Sequence, residues 1–154
     1  MVQLSLPHID TRTVEVDAPA STTWEALIAR EENGPSAERR ERFARLLGCD
    51  PGDYSGVPGE TGSTTLGFRV LRSEPPTRLV LEGRHRFSSY RLTFEVESQG
   101  KDRSRLSATT DAAFPGLKGE LYKTGVIRSR AHVVATKRML QMVARRAESA
   151  RLKS

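Results

Sequence analysis

Two histidines are the side chains of this sequence best suited to acid–base chemistry. A neutral imidazole can accept or donate a proton near pH 7, and His85 and His132 lie in segments that we expect to face each other. Tyr90 would add a phenolic hydrogen-bond donor. His8 lies in an N-terminal segment of little pattern and is assigned no role. His85, His132 and Tyr90 are therefore the candidate catalytic residues, although a buried histidine is more often a hydrogen-bonded core residue.

The sequence lacks the motifs of the common catalytic and metal sites. No HExxH, GxSxG or GxGxxG motif occurs, and the cysteine and histidine residues do not have metal-site spacing. The single cysteine, Cys49, excludes an internal disulfide. Residues 48–63 contain Asp50, Asp53 and Glu60, but not at the alternating positions of a calcium loop. We therefore expect no metal and no other cofactor.

The candidate residues must be positioned by strands, because apolar and polar side chains alternate through much of residues 65–114. A strand with one buried face has this alternation. A first strand is predicted over 12–18. The pattern then predicts four more strands, over 65–70, 79–87, 90–97 and 105–114.

The turns between these strands fix which residues lie opposite each other. Pro75-Pro76 is expected to turn the chain, and Ser88-Ser89 is the predicted two-residue turn of the next hairpin. His85 then lies opposite Leu92. With a loop at 98–102, Tyr90 faces Thr110.

Three helices are predicted beside the sheet. Two short ones follow the first strand. One has a capping box of Thr22 and Glu25, and the other runs from Ser36 to Leu47. A long helix is predicted over 117–149, because its apolar and charged residues separate onto opposite sides at 100° per residue.

The side chains at the centre of this helix's inner face are small or polar. At helical spacing they are Gly125, Ser129, His132 and Thr136. A buried polar group without a partner costs about 1–3 kcal/mol. This run therefore favours a wetted cavity or ligand contacts over a dry core. The alternative is local hydrogen bonding, with Ser129 and Thr136 bonding back to their own helix.

These elements predict an α+β fold in which a curved antiparallel sheet wraps around the long C-terminal helix, with two short helices after the first strand. The apolar face of the sheet needs a cover, and only the long helix is large enough. We expect a single domain over 1–154. Residues 1–11 would form a loose arm or a lead-in to the first strand, and 150–154 a basic tail.

Residues 14–27, VEVDAPASTTWEAL, resemble the first strand and helix of the START/polyketide-cyclase superfamily (SRPBCC), the helix-grip proteins that include birch-pollen allergens. Residues 78–97 and the long end helix are similar as well, so the resemblance runs from residue 12 to about 147. The predicted sheet is a strand or two shorter than is usual there, unless residues 1–9 or 51–63 contain another strand.

The resemblance implies a cavity between the sheet and the long helix that binds a small hydrophobic or aromatic molecule, such as a lipid or a polyketide. Strand parity and helix phase then give the candidate ligand-binding residues. They are Leu81, Phe87, Tyr90, Leu92, Thr110, Phe114, Leu121, Gly125, Ser129, His132 and Thr136.

Two other functions stay open. A polyketide cyclase or dehydratase would use His85 or His132 as the acid–base group and Tyr90 as a donor. An interaction module would contact RNA, the ribosome or anionic lipid through the basic end of the chain. That surface would consist of Arg138, Arg145, Arg146, Arg151 and Lys153.

The net charge of the chain does not by itself identify a binding partner. The formal net charge is +6, which favours anionic partners, but basic residues such as Arg39 and Arg40 alternate with acidic ones such as Glu38 and Glu41. A nucleic-acid partner is therefore not expected. No apolar run approaches the roughly 18 residues of a membrane span, and the N-terminus lacks the pattern of a secretory signal. We expect a cytoplasmic monomer or homodimer.

Overall fold

The computed structural model describes residues 6–29, 56–65, 67–85, 88–114, 116, 121, 124 and 131–153. Six strands and two helices have their bounds within these residues. In chain order they are β1 (His8–Val16), α1 (Ala20–Ile28), β2 (Thr64–Thr65), β3 (Phe68–Glu74), β4 (Arg78–His85), β5 (Ser88–Ser98), β6 (Ser104–Ala113) and α2 (Ala131–Lys153). The predicted helix from Ser36 to Leu47 lies outside the described residues.

All six strands belong to one sheet, in the order β1-β6-β5-β4-β3-β2, and every neighbouring pair is antiparallel. The predicted α+β class is confirmed. The first strand already begins at His8, so residues 8–11 belong to β1. The additional strand is β2, which comes directly after the 51–63 segment.

The start of α1 differs from the prediction. The helix begins at Ala20 with Pro19 at its N-cap, and no side chain caps it. The predicted capping box of Thr22 and Glu25 is therefore wrong. The backbone N–H of Thr23 donates to the carbonyl oxygen of Pro19 at 3.0 Å, so Thr22 already lies inside the first turn of the helix.

The hairpin between β4 and β5 also differs. Ser88 pairs with His85, and Ser89 pairs with Arg84, so both serines are strand residues and the predicted Ser88-Ser89 turn is wrong. His85 was expected opposite Leu92, four residues further along β5. A Ser-Ser pair has no strong preference for the backbone angles of a tight hairpin turn, so this part of the sequence constrains the register weakly.

This shift in register changes which residues lie opposite each other, but each side chain stays on the same face of the sheet. Leu92 lies opposite Leu81, and it is Leu92, not Tyr90, that lies opposite Thr110. Tyr90 lies opposite Gly83 instead. Because side chains alternate with a period of two, a shift by an even number of residues leaves every side chain on its predicted face.

The two faces of the sheet differ sharply in polarity. On the outer face, Arg105 Nε donates a hydrogen bond to Glu15 Oε1 at 2.7 Å, and Arg91 pairs with Glu82. The bond to Glu15, together with the charge of Glu15, raises the pKa of Arg105 above its ordinary value. The inner face carries the core. Its buried residues include Val16, Val70, Leu79, Leu81, Leu92, Phe94, Val96, Leu106 and Ala108.

Helix α2 packs on the inner face toward the β1 edge of the sheet. It contacts α1, β1 and β6, and its buried side chains are Leu140, Val143, Ala144 and Ala147. The backbone N–H of Asp17 donates to Glu148 Oε1 at 3.2 Å, and Arg151 donates to the carbonyl oxygen of Asp17 at 2.9 Å. These bonds hold the end of α2 against the end of β1. Residues 150–153, expected to form a tail, are part of this helix.

Candidate functional site

The candidate site is built on four large apolar side chains that we call the apolar patch. Leu79 and Leu81 come from β4, and Phe94 and Leu92 lie directly opposite them on β5. Residues opposite each other in an antiparallel pair share a face, so all four project to the inner side of the sheet. Each is at most 8% exposed. The alternation that predicted these strands also places Leu81 and Leu92 as expected.

The patch lies beside the strands on which α2 packs. In the described part of the chain, α2 contacts mainly β1 and β6, whereas the patch is on β4 and β5, and of these β5 also contacts α1. The patch belongs to the same continuous core as Leu140 and Val143 of α2, against which Met139 also packs. The inner face is therefore apolar from α2 across to β4.

Tyr90 lies next to the patch and is held by β3. Its hydroxyl donates a hydrogen bond to the carbonyl oxygen of Gly67 at 2.8 Å. Its ring meets the edge of Phe68 at a centroid distance of 5.1 Å and an angle of 68°. The tyrosine thus ties β5 to the start of β3, a structural role that the sequence did not indicate.

Gly83, opposite Tyr90, is required by this close approach. A Cβ atom at Gly83 would lie 1.8 Å from the carbonyl oxygen of Gly67 and 2.9 Å from Cε2 of Tyr90. No side chain can occupy that space. The absence of a Cβ therefore allows the Tyr90 ring to cross β4 and reach Gly67.

The remaining candidate residues are only partly described. Thr110, Phe114 and Thr136 are half-buried, and Thr110 lies opposite Leu92 on the inner face. Leu121 is 76% exposed, so we leave it out of the proposed lining. His85 ends β4 and His132 is the second residue of α2, but the structure does not describe their side chains. Phe87, Gly125 and Ser129 lie outside the described residues.

Sequence reasoning missed an ion pair on the same face. Arg12 Nε donates a hydrogen bond to Asp10 Oδ2 at 2.8 Å. Asp10 lies opposite Thr110, and Arg12 lies opposite Ala108, so both project inward from β1. The parity of Arg12 with Val14 and Val16 was a usable signal, but an arginine near the N-terminus was interpreted as surface.

The described residues contain no group of three His, Cys, Asp or Glu side chains that could hold a metal ion. Within the same residues, neither helix is long and apolar enough to cross a membrane.

Comparison with solved structures identifies the architecture. A point mutant of norcoclaurine synthase from Thalictrum flavum, in complex with a transition-state analogue, superposes with a TM-score of 0.58 at 13% identity, over 97% of this chain and 99% of that one. The Mll3558 protein from Rhizobium loti gives 0.55 at 20% identity, over 92% and 99%. The chain has the START-like helix-grip fold. The fold that the resemblance implied is thereby confirmed.

No protein-family model matches this sequence, and no curated protein matches it significantly. Identities of 13% and 20% establish the fold alone.

Proposed function

We propose that this chain binds a small hydrophobic or aromatic molecule between the inner face of the sheet and the long C-terminal helix. The observation that carries the proposal is the apolar patch beside a few polar side chains. Small-molecule sites are mostly apolar, with a small number of polar groups that orient the ligand. Here Leu81 and Leu92 are part of the apolar lining, and Thr110 and Asp10 are the polar groups.

The polar centre predicted for the long helix supports the same location. Gly125, Ser129, His132 and Thr136 would form the wall opposite the patch, with Phe87 and Phe114 at its margin. The similar fold of norcoclaurine synthase, which holds a transition-state analogue in one of its structures, is consistent with a small organic ligand here.

Binding is preferred to catalysis because of Tyr90. Its hydroxyl donates to Gly67, so the tyrosine is engaged in holding β5 to β3. A cyclase or dehydratase reaction would then depend on His85 and His132.

Replacing His85 or His132 by alanine should weaken ligand binding more than it lowers the melting temperature.

The test is to fill the proposed cavity from the helix side. Gly125→Leu should abolish binding of the neutral fluorescent probe N-phenyl-1-naphthylamine while leaving the melting temperature near that of the wild type, since filling a true void costs little. Overpacking a dry core typically costs about 1–3 kcal/mol. The measurements are a fluorescence titration and a thermal melt with and without the probe, because a ligand of the native state raises stability.

Ala135→Leu is the matched control, since Ala135 is exposed on α2. It should change neither binding nor stability. If Gly125→Leu unfolds the protein while His85→Ala and His132→Ala bind the probe normally, the inner face of the helix is ordinary core and the proposal is wrong.

A further inference from the structure

The ion pair of Asp10 and Arg12 lies on an unusual face for charged side chains. The other charges of β1 and β6, such as Glu15 and Arg105, pair on the outer face. Asp10 instead lies in an inner row that continues through Thr110 to Leu92 and Leu81. Its side chain is only 17% exposed, although that of Arg12 is 45% exposed.

A β-bulge lies directly before Asp10 and places His8 on the other face, while Asp10 keeps the parity of Arg12 and Val14. His8 lies opposite Asp111 on the outer face, whereas Asp10, two residues later, lies opposite Thr110 on the inner face, and the register shifts between them. In a regular strand, residues two apart share a face. Bulges change the direction of a side chain and are frequent next to functional sites.

Asp10, Arg12 and Thr110 can form more hydrogen bonds than they make with one another. Within the described residues, the hydrogen bond of this group runs from Arg12 Nε to Asp10 Oδ2. Asp10 Oδ1, the Nη groups of Arg12 and the Thr110 hydroxyl can therefore bond to water or to a ligand. A partly buried polar group is more stable when it is hydrogen-bonded to a ligand than when it has no partner. These atoms can therefore act as one anchoring group.

The opposite charges of Asp10 and Arg12 determine which chemical group of a ligand they would bind. A carboxylate would be attracted by Arg12 but repelled by Asp10, and an ammonium would meet the reverse. An uncharged hydroxyl suits both, because it donates to Asp10 Oδ1 and accepts from Arg12 or Thr110. Asp10 and Leu92 are two strands apart, roughly 10 Å, which is about the length of a fused two-ring aromatic.

We propose that the ligand is an aromatic or aliphatic molecule bearing an uncharged hydroxyl group, which is bound by Asp10, Arg12 and Thr110 while its apolar body contacts the apolar patch. This inference rests on the proposed function. It adds the chemical class of the ligand and the direction in which the ligand lies, with its polar end toward β1.

The experiment compares three probes with the same two-ring body: 2-naphthol, 2-methylnaphthalene and 2-naphthoate. Isothermal titration at pH 7 should show 2-naphthol binding about tenfold more tightly than 2-methylnaphthalene, the effect of one hydrogen bond to a charged group. Thr110→Val and Asp10→Asn should reduce this preference to about threefold or less. Asp10→Asn should also strengthen binding of 2-naphthoate, since Arg12 then faces no carboxylate.

Matched controls come from the outer face of β6. Thr109 and Asp111 flank Thr110 and lie on the face that carries Thr11 and His8. Thr109→Val and Asp111→Asn make the same chemical changes there and should leave the preference for 2-naphthol unchanged. If 2-naphthol and 2-methylnaphthalene bind the wild type equally well, the hydroxyl anchor is wrong and the apolar site stands. If none of the three probes binds, the proposed function is wrong and this inference falls with it.

Discussion

At the scale of single residues, one buried hydroxyl connects three segments. Ser104 Oγ donates to the carbonyl oxygen of Ala18 at 2.9 Å and lies 2.7 Å from Thr23 Oγ1. A serine hydroxyl has one proton, so the proton between the two hydroxyls comes from Thr23. Both side chains are fully buried, and together they fasten α1 and the segment before it to the start of β6.

Replacing this hydroxyl should be costly. Ser104→Ala leaves the Thr23 hydroxyl and the Ala18 carbonyl without a partner away from water, so we expect the free energy of unfolding to fall by about 1–3 kcal/mol. Ser107→Ala is the control, because Ser107 bonds Thr13 on the solvent-facing side of the sheet. Urea denaturation of both variants gives the comparison. Equal losses would mean that the buried network contributes nothing special.

At the scale of elements, the sequence predicted strand faces far better than strand offsets. Period-two alternation depends on which side chains avoid water, and it correctly placed Leu81 and Leu92 on the inner face. The offset depends on the turn, and Ser88-Ser89 carries no strong turn signal, so the pairing of His85 was wrong. The bulge between His8 and Asp10 leaves no mark in residue types.

The candidate site was predictable to a similar degree. Its apolar part follows from alternation, and Thr110 follows from the parity of β6. Tyr90 was placed on the correct face, but its bond to Gly67 depends on a contact between segments 23 residues apart, which no local pattern encodes. Arg12 was missed because charge was given more weight than parity.

The anchoring of α2 supplies a prediction at the same scale. Leu140 is 2% exposed and lies in the core, whereas Met142 is 54% exposed. Leu140→Ala should lower the free energy of unfolding by about 2–5 kcal/mol, because it removes buried contacts and leaves a cavity. Met142→Ala, on the exposed side of the helix, should change it by less than about 0.5 kcal/mol. Thermal and urea denaturation test both, and a small loss at Leu140 would show that α2 is loosely packed.

At the scale of the whole molecule, the charge of +6 does not form a basic surface on the sheet. Several arginines of the outer face are paired with carboxylates, as Arg103 is with Asp17 and Arg78 with Glu95. Such exposed pairs add little stability. They do, however, interrupt the positive potential that a nucleic acid would need.

Binding to nucleic acid should therefore be weak and electrostatic only. We expect a fluorescein-labelled single-stranded RNA to show slight binding in 50 mM salt and none in 200 mM salt, because non-specific phosphate contacts are lost as salt rises. Fluorescence anisotropy at both salt concentrations measures this. Tight binding that persists at 200 mM salt would instead support an interaction module based on Arg138, Arg145 and the other exposed basic residues of α2.

The pairing of the first strand with the last has a consequence for synthesis on the ribosome. Strand β1 pairs with β6, and Asp17 at its end is held by Glu148, 131 residues later in the chain. Strand β1 must therefore wait until β6 has been synthesised before it can pair. Unpaired strand edges readily join other chains, and until β6 follows the growing polypeptide carries β1 as an exposed, half-apolar strand. Its period of greatest exposure to aggregation ends only when β6 has left the ribosome.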